Sequence, residues 1–296
     1  MKSSAPLHGA SQVGATPTHC AVLPPCRELA SCVRVYVTRS TVGASLEDFE
    51  RHNFYPASLA CSISWTLQGQ TELLRVGSQV VNAMATSAVM FSGPQTQPCE
   101  TRNPGAVEFF LLMFMPDAFY ALTGIDLHAH TNRHSPLHEV LGTEWQSMAN
   151  AVMAAQDDSQ RVQIIELFLQ PLWKAARPLD RVLSSHFLAD WMRSISIRTV
   201  VSQKSRGLRQ MERNIKRWTG QTQRQLLRMV RGETAYLHAR TLKARGDLVW
   251  SDVASEMGFS DQSHLCREFY KLTGLQPEKV LSNIEHDERL WIYKAW

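Results

Sequence analysis

The stretch GFSDQSHLCREFYKLTG, Gly258 to Gly274, is closed by a glycine at each end and carries a helical period between them. Just upstream, Val253, Ala254 and Met257 share one face of a short helix. Gly258 is free to take the left-handed turn conformation, and Ser260 stands where the N-cap of a second helix is expected. On that second helix Leu265, Phe269 and Leu272 recur at i, i+4 and i+7 and face inward. Ser263, His264, Arg267 and Lys271 form the opposite face, which is polar and partly basic. Pro277 opens a further helix. The stretch is therefore the second half of a helix-turn-helix unit.

Working upstream, the layout recurs about 54 residues earlier in LRQMERNIKRWTG, Leu208 to Gly220. Leu208, Met211, Ile215 and Trp218 make the apolar stripe, while Arg209, Glu212, Arg213 and Lys216 lie on another face. Thr219-Gly220 closes this helix as Thr273-Gly274 closes the later one. Between the two, Thr222 with Gln225 reads as a capping box, and a helix from there to Ala244 with Gly246 behind it would be about 33 Å long. Successive major grooves on one face of DNA recur every ~34 Å, so such a linker sets two recognition helices in neighbouring turns. No strand-like segment follows Leu179.

Charge agrees with this division. Residues 1–179 carry a net charge of −3 and residues 180–296 a net charge of +7, with +9 concentrated between Arg206 and Arg245. A basic surface on folded helices is the electrostatic footprint of a phosphate-backbone binder. At 296 residues, 44% hydrophobic and 20% charged, the chain is globular and long enough for about two domains. Its longest apolar run, Ala106 to Met115, includes Glu108 and falls short of a membrane span, and no secretory signal is visible near the N-terminus. The expectation is a cytoplasmic protein without membrane contact.

Before the helical part, residues 1–30 are rich in Ser, Pro, Thr, Gly and Ala and read as a loose leader. Val33, Val35 and Val37 alternate with Arg34, Tyr36 and Thr38, the period-2 pattern of a half-buried strand. Further β-like runs occupy Ser58–Leu67, Ser87–Ser92 and Val107–Met115, separated by turns at Gly69, Gly93-Pro94 and Asn103-Pro104-Gly105. After Pro116 two amphipathic helices follow, one with Leu137, Leu141, Met148 and Val152 on a face, the other with Val162, Ile165, Leu169 and Leu172. Gln156-Asp157-Asp158-Ser159 breaks them. These stripes are buried either within their own domain or against a second copy of the chain. The six cysteines show no CxxC and read as reduced thiols.

The stretch Gly258 to Gly274 with Pro277 resembles the signature of AraC/XylS-type transcription regulators, and Leu208 to Gly220 resembles their first recognition helix. The resemblance spans about residues 186–284. It implies a DNA-binding domain of two helix-turn-helix units joined by a long helix. Arg209, Glu212 and Arg213 in the first helix, with Lys216 alongside, and Gln262, Ser263, His264 and Arg267 in the second, with Lys271, would then face base edges or phosphates. An arginine reading guanine O6 and N7 is worth ~1–3 kcal/mol of discrimination. The first unit departs from the pattern at Val201, Ser205 and Gly207. Residues 24–130, including NFYPASLACSISW and VMFSGPQ, resemble the effector-sensing domain of one branch of that family, which implies a cupin-like β fold.

The fold expected is thus α+β and multidomain: a leader over 1–23, a β-rich cupin-like sensing domain over 24–135, linker helices over 136–179, an all-α DNA-binding domain over 180–284, and a C-terminal extension over 285–296. The function expected is sequence-specific DNA-binding transcription regulation responsive to a small-molecule effector, with no catalytic residues, no metal and no other cofactor. Double-stranded DNA is the expected partner; RNA polymerase and a second copy of the chain are the further partners considered. The competing reading is a cupin-type metal-dependent enzyme or sensor built on His128, His130, His134 and His138 with Glu139, although that spacing does not fit a cupin metal motif. A thiolate alkyl-acceptor fused to the same helices, and a structural adaptor binding an acidic protein, are weaker alternatives.

Overall fold

The computed structural model describes residues 17–177 and 208–295; Val201, Ser205 and Gly207, and the leader up to residue 16, lie outside the described residues. The β-rich part consists of β1 (His19–Leu23), β2 (Val33–Ser40), β3 (His52–Tyr55), β4 (Cys61–Gln68), β5 (Glu72–Val76), β6 (Gln79–Ala85), β7 (Val89–Ser92), β8 (Cys99–Arg102), β9 (Glu108–Phe114) and β10 (His134–Pro136). A six-stranded sheet runs in the order β1-β2-β9-β4-β7-β10 and a four-stranded sheet in the order β3-β8-β5-β6. The strand pairs are antiparallel.

Side-chain alternation sorts two environments onto the faces of the larger sheet. In β4, Cys61, Ile63 and Trp65 are fully buried on one face, and Ser62, Ser64 and Thr66 line a cavity on the other. In β9, Phe110, Leu112 and Phe114 follow the first set, while Phe109, Leu111 and Met113 follow the second. Four helices cover the apolar face: α1 (Pro116–Thr123), α2 (Leu137–Val140), α3 (Thr143–Ala154) and α4 (Asp158–Ala176). Phe119, Trp145, Met148, Ile165, Leu169 and Trp173 from these helices share one core with Trp65, Phe110 and Phe114. Leu137, Leu141, Met148 and Val152 are buried, but not on the single helix expected: extended backbone at Leu141 and Gly142 separates α2 from α3. On α4 the buried stripe is Arg161, Ile165, Leu169 and Trp173, with Val162 and Leu172 at its margins. Both stripes are buried within the chain. Asp157 caps α4 by accepting from the Gln160 amide at 2.8 Å, which is why the polar break falls there.

The helical part comprises α5 (Leu208–Thr219), α6 (Gln223–Arg245), α7 (Trp250–Glu256), α8 (Gln262–Thr273), α9 (Pro277–Asn283) and a 3-10 turn, Glu288–Lys294. It packs against the β-rich part, and this corrects three expectations. Residues 19–23, expected as leader, form β1 along the edge of β2. Strand β2, expected to be half-buried, is buried on both faces from Val35 to Arg39, because Val35 and Val37 meet Ala235, Tyr236 and Ala239 of α6. Residues 285–296, expected as an extension, place Leu290, Trp291, Ile292 and Tyr293 in that same core, each at most 5% exposed.

Polar contacts cross the junction at the same places. Arg34 of β2 forms a two-pronged ion pair with the buried Glu233 of α6. Arg39 bonds Glu288 at 3.0 Å and stacks over the Trp291 ring at 5.1 Å, and the Trp291 indole donates to Asn53 Oδ1 at 2.8 Å. The Tyr236 hydroxyl donates to the Tyr293 carbonyl and Arg240 donates to the Lys294 carbonyl. Trp291→Ala empties a buried volume and removes the Arg39 stack, so it should cost ~3–5 kcal/mol, measured as a lowered urea midpoint of the full chain. Asn53→Ala, which removes the indole's acceptor and the Asn53 bonds to Thr101 and Asn103 but little volume, should cost less.

Candidate nucleic-acid interface

The two recognition helices are closed in the same way, residue for residue. The Thr219 hydroxyl lies 2.7 Å from the Ile215 carbonyl and 3.2 Å from that of Gln221; the Thr273 hydroxyl lies 3.0 Å from the Phe269 carbonyl and 2.9 Å from that of Leu275. Gly220 and Gly274 follow with φ of 75° and 71°, the left-handed region in which a side chain is disfavoured. The sequence repeat is therefore a structural repeat at these helix ends. Both closures abut the β-rich part. Thr131 donates to the Gly220 carbonyl at 2.9 Å, and the Ala57 amide donates to the Leu272 carbonyl at 2.7 Å.

Between them α6 runs 23 residues, about 34 Å at 1.5 Å per residue. Its capping box is formed: Thr222 Oγ1 accepts from the Gln225 amide and the Gln225 side chain accepts from the Thr222 amide at 2.9 Å. Gly246 ends it in the left-handed conformation.

On α5, Arg209, Glu212 and Arg213 are exposed, Lys216 is half-buried, and Ile215 is buried against the β-rich part. On α8, Gln262, Ser263, Arg267 and Lys271 are exposed, His264 is half-buried, and Leu265, Phe269 and Leu272 are buried as the spacing required. The turn before α8 has Gly258 at φ 72°, but the N-cap is Asp261, not Ser260: its carboxylate accepts from the His264 amide at 2.7 Å. That bond, then the Ser260 hydroxyl, hold the Asp261 carboxyl below the usual range. A charged acceptor at the helix N-terminus competes better than a hydroxyl. Ser260 instead meets His264 Nδ1 at 3.1 Å, which occupies one ring nitrogen of a residue expected near base edges. Tyr270, about half exposed, stands three residues beyond Arg267 on the same side and was passed over in the sequence, where the i+3 spacing was the available signal.

Three basic residues make contacts that serve the fold. Arg228 of α6 pairs with Glu268 on the inner side of α8, and Lys271 pairs with the same carboxylate at 2.7 Å. Arg231 stacks over Phe259 at 4.5 Å and donates to the Gly258 carbonyl. Arg224, by contrast, is exposed. Burial raises the Glu268 pKa, but the Lys271 hydrogen bond and the Arg228 charge outweigh it and leave the group below its ordinary value. A carboxylate with a depressed pKa stabilises the fold above the ordinary glutamate range and loses that contribution as pH falls through its folded value. Arg228→Ala should therefore lower stability by roughly 1 kcal/mol at pH 7, the partly exposed guanidinium being screened, and move the acid unfolding midpoint to higher pH. Glu268→Gln should flatten the acid limb. Thermal melts from pH 7 to pH 3 check both.

A second feature lies between the sheets. A cavity of about 140 Å³ is lined by hydroxyls of β4 and β7, by Phe109, Leu111 and Met113 of β9, by Gln95 and His134, and by Ile292 from the 3-10 turn. The histidines expected as a cluster are dispersed, and of the four His134 lines this cavity. His128 lies 3.4 Å from the Gly220 carbonyl, His130 packs edge-on to Phe91, His134 Nδ1 meets Ser92 Oγ at 2.8 Å, and His138 is exposed. Among the described residues, no three His, Cys, Asp or Glu side chains converge to hold a metal ion. No two of the six cysteines are joined by a disulfide. Among the described residues no helix is long and apolar enough to cross a membrane.

Comparison with known proteins follows the same division. Residues 205–283 match the family described as a helix-turn-helix domain, and residues 21–136 match a domain of unknown function (DUF6597). No curated protein sequence matches the chain. Among solved structures, ToxT from Vibrio cholerae at 1.65 Å aligns at 10% identity over 90% of this chain and 97% of that one, with a TM-score of 0.39. Wild-type ToxT bound to an unsaturated fatty acid, from Vibrio cholerae strain SCE256, aligns at 13% identity over 78% and 94%, with a TM-score of 0.37. Behind a β-rich N-terminal domain, the chain carries a helix-turn-helix domain.

Proposed function

We propose that the protein is a sequence-specific transcription regulator that inserts α5 and α8 into successive major grooves of one DNA face. The observation that carries this reading is the matched pair of recognition helices joined by a 23-residue helix, each with an exposed polar face. In this reading Arg209, Glu212 and Arg213 on α5, and Gln262, Ser263 and Arg267 on α8, approach base edges, and Tyr270 extends the second surface. Lys216 and Lys271 contribute charge near phosphates, and His264 is held back by Ser260. Arg224 is placed on the phosphate backbone.

The β-rich domain supplies the sensing function. Ile292 lines its cavity, while Tyr293 and Lys294, the next two residues, accept hydrogen bonds from α6. An effector in the cavity thereby biases how the helices are held, by favouring one of the arrangements the chain already samples.

Fluorescence anisotropy of the purified chain against DNA from upstream of its own and neighbouring genes, with scrambled competitor at two salt concentrations, tests the reading. Nanomolar, competitor-resistant binding with a steep salt slope is expected; equal affinity for scrambled DNA would overturn sequence-specific regulation. Arg267→Ala should lower operator affinity by ~1–3 kcal/mol and relax base choice, whereas Arg224→Ala should weaken all DNA alike and reduce the salt slope by about one.

A further inference from the structure

The repeat aligns α5 with α8 position by position, because both helices end on the same Thr-Gly closure. Inward positions correspond: Met211, Ile215 and Trp218 stand where Leu265, Phe269 and Leu272 stand in the second helix. One basic position is occupied alike as well. Arg217 stacks over the Tyr120 ring at 5.4 Å, and its counterpart Lys271 pairs with Glu268 at 2.7 Å.

The outward stripe is not repeated. On α5 it is Arg209, Glu212, Arg213 and Lys216; at the same positions α8 has Ser263, Cys266, Arg267 and Tyr270. Three cations and a carboxylate thus correspond to a hydroxyl, a half-buried thiol, one cation and an aromatic ring. Arg209, Glu212, Arg213 and Arg267 are exposed and enter no ion pair among the described residues. Tyr270 is 51% exposed and has no stacking partner among the described residues.

These side chains select different bases. A guanidinium bonds guanine O6 and N7 together, and a glutamate accepts from cytosine N4. Arg209 and Arg213 lie four residues apart, about 6 Å along the helix, which is close to two base-pair steps of ~3.4 Å. A serine hydroxyl accommodates several bases, whereas an aromatic ring gains from contact with the thymine methyl.

We propose that the two half-sites of the operator differ in composition. The half-site under α5 holds two G·C pairs about two steps apart, chosen by Arg209 and Arg213 with Glu212. The half-site under α8 holds a single guanine, chosen by Arg267, beside a thymine whose methyl packs on Tyr270. Tyr270 is thereby a specificity-determining residue. This assignment deepens the regulator reading above and rests on it.

The test is selection of the full chain against a random DNA library. Enriched sequences should carry two blocks about 10 base pairs apart, one with two fixed G·C pairs and one with a single guanine adjoining thymine. Arg209→Ala and Arg213→Ala should each lose guanine preference in the first block alone, and Arg267→Ala in the second alone, by roughly 5- to 150-fold. Replacing the thymine by deoxyuridine removes only the methyl. It should weaken the wild-type chain about three- to fourfold, weaken Tyr270→Phe equally, and leave Tyr270→Ala unaffected. All four positions are exposed, so melting temperatures should stay within a few degrees of the wild type. Two blocks of the same composition, a first block without fixed G·C pairs, or a deoxyuridine effect that is absent in the wild type or survives in Tyr270→Ala would each overturn the proposal. A uniform loss of affinity for all DNA in Tyr270→Phe would place the hydroxyl on a phosphate and overturn the thymine contact. Enrichment of some other sequence leaves the regulator in place and removes this base assignment alone, whereas no enrichment removes the sequence-specific regulator and the assignment with it.

Discussion

Burial of both faces of the six-stranded sheet is the constraint on which the other features depend. One face is apolar and is closed by the four helices that follow it in the chain. The other, at β2 and β9, is closed by helices drawn from the far half of the sequence. Val35 and Val37 leave water only when α6 lies across them, and α6 is aligned there by Arg34 and Glu233. A buried ion pair of this kind is weak evidence for stability, but breaking it from one side costs about 3–5 kcal/mol because the remaining charge is stranded. The pair therefore sets the seating of α6 more than it strengthens the fold.

From that seating the positions of the recognition helices follow. Each helix ends in a Thr-Gly closure and each closure rests on the β-rich domain, by way of Thr131 and of Ala57. The ends facing the protein are tied, and the polar faces are turned to solvent. Charge near these helices is used twice over: Arg228 and Arg231 hold α8 and its turn against α6, whereas Arg224 and Arg267 remain exposed. Counting basic residues along the chain gives the sign of the surface and says nothing of which arginines form it.

The helical half was readable because its signals are local. Periodicity of Leu265, Phe269 and Leu272, the capping box at Thr222 and Gln225, and the closing glycines each act within a few residues. The exchange of Ser260 for Asp261 as N-cap is a shift of one position between two competent acceptors. In the β half the strongest strands were readable from alternation, but β3, β8 and β10 were not, being short and held by partners distant in sequence, and the β5–β6 hairpin was not read either. The serines of β4 show the limit clearly. Ser62, Ser64 and Thr66 have the spacing of a solvent-facing row, and only the opposing sheet turns them into the wall of a cavity. Likewise Leu290 to Tyr293 is an apolar run whose partners, Asn53 and Tyr236, are unknowable without the fold.

That last contact bears on how the chain folds. The Trp291 indole reaches Asn53 across 238 residues of sequence, and Ile292 completes the wall of a cavity whose other residues are all upstream of position 135. During synthesis the β-rich half emerges first and waits, with the second face of β2 exposed, until the ribosome has released the entire helical half. Docking of the 3-10 turn is then a late, high-contact-order step that joins the two halves into one cooperative unit. Cutting the chain between its halves would not yield two intact pieces, since one would expose Val35 and Val37 and the other Trp291 and Tyr293.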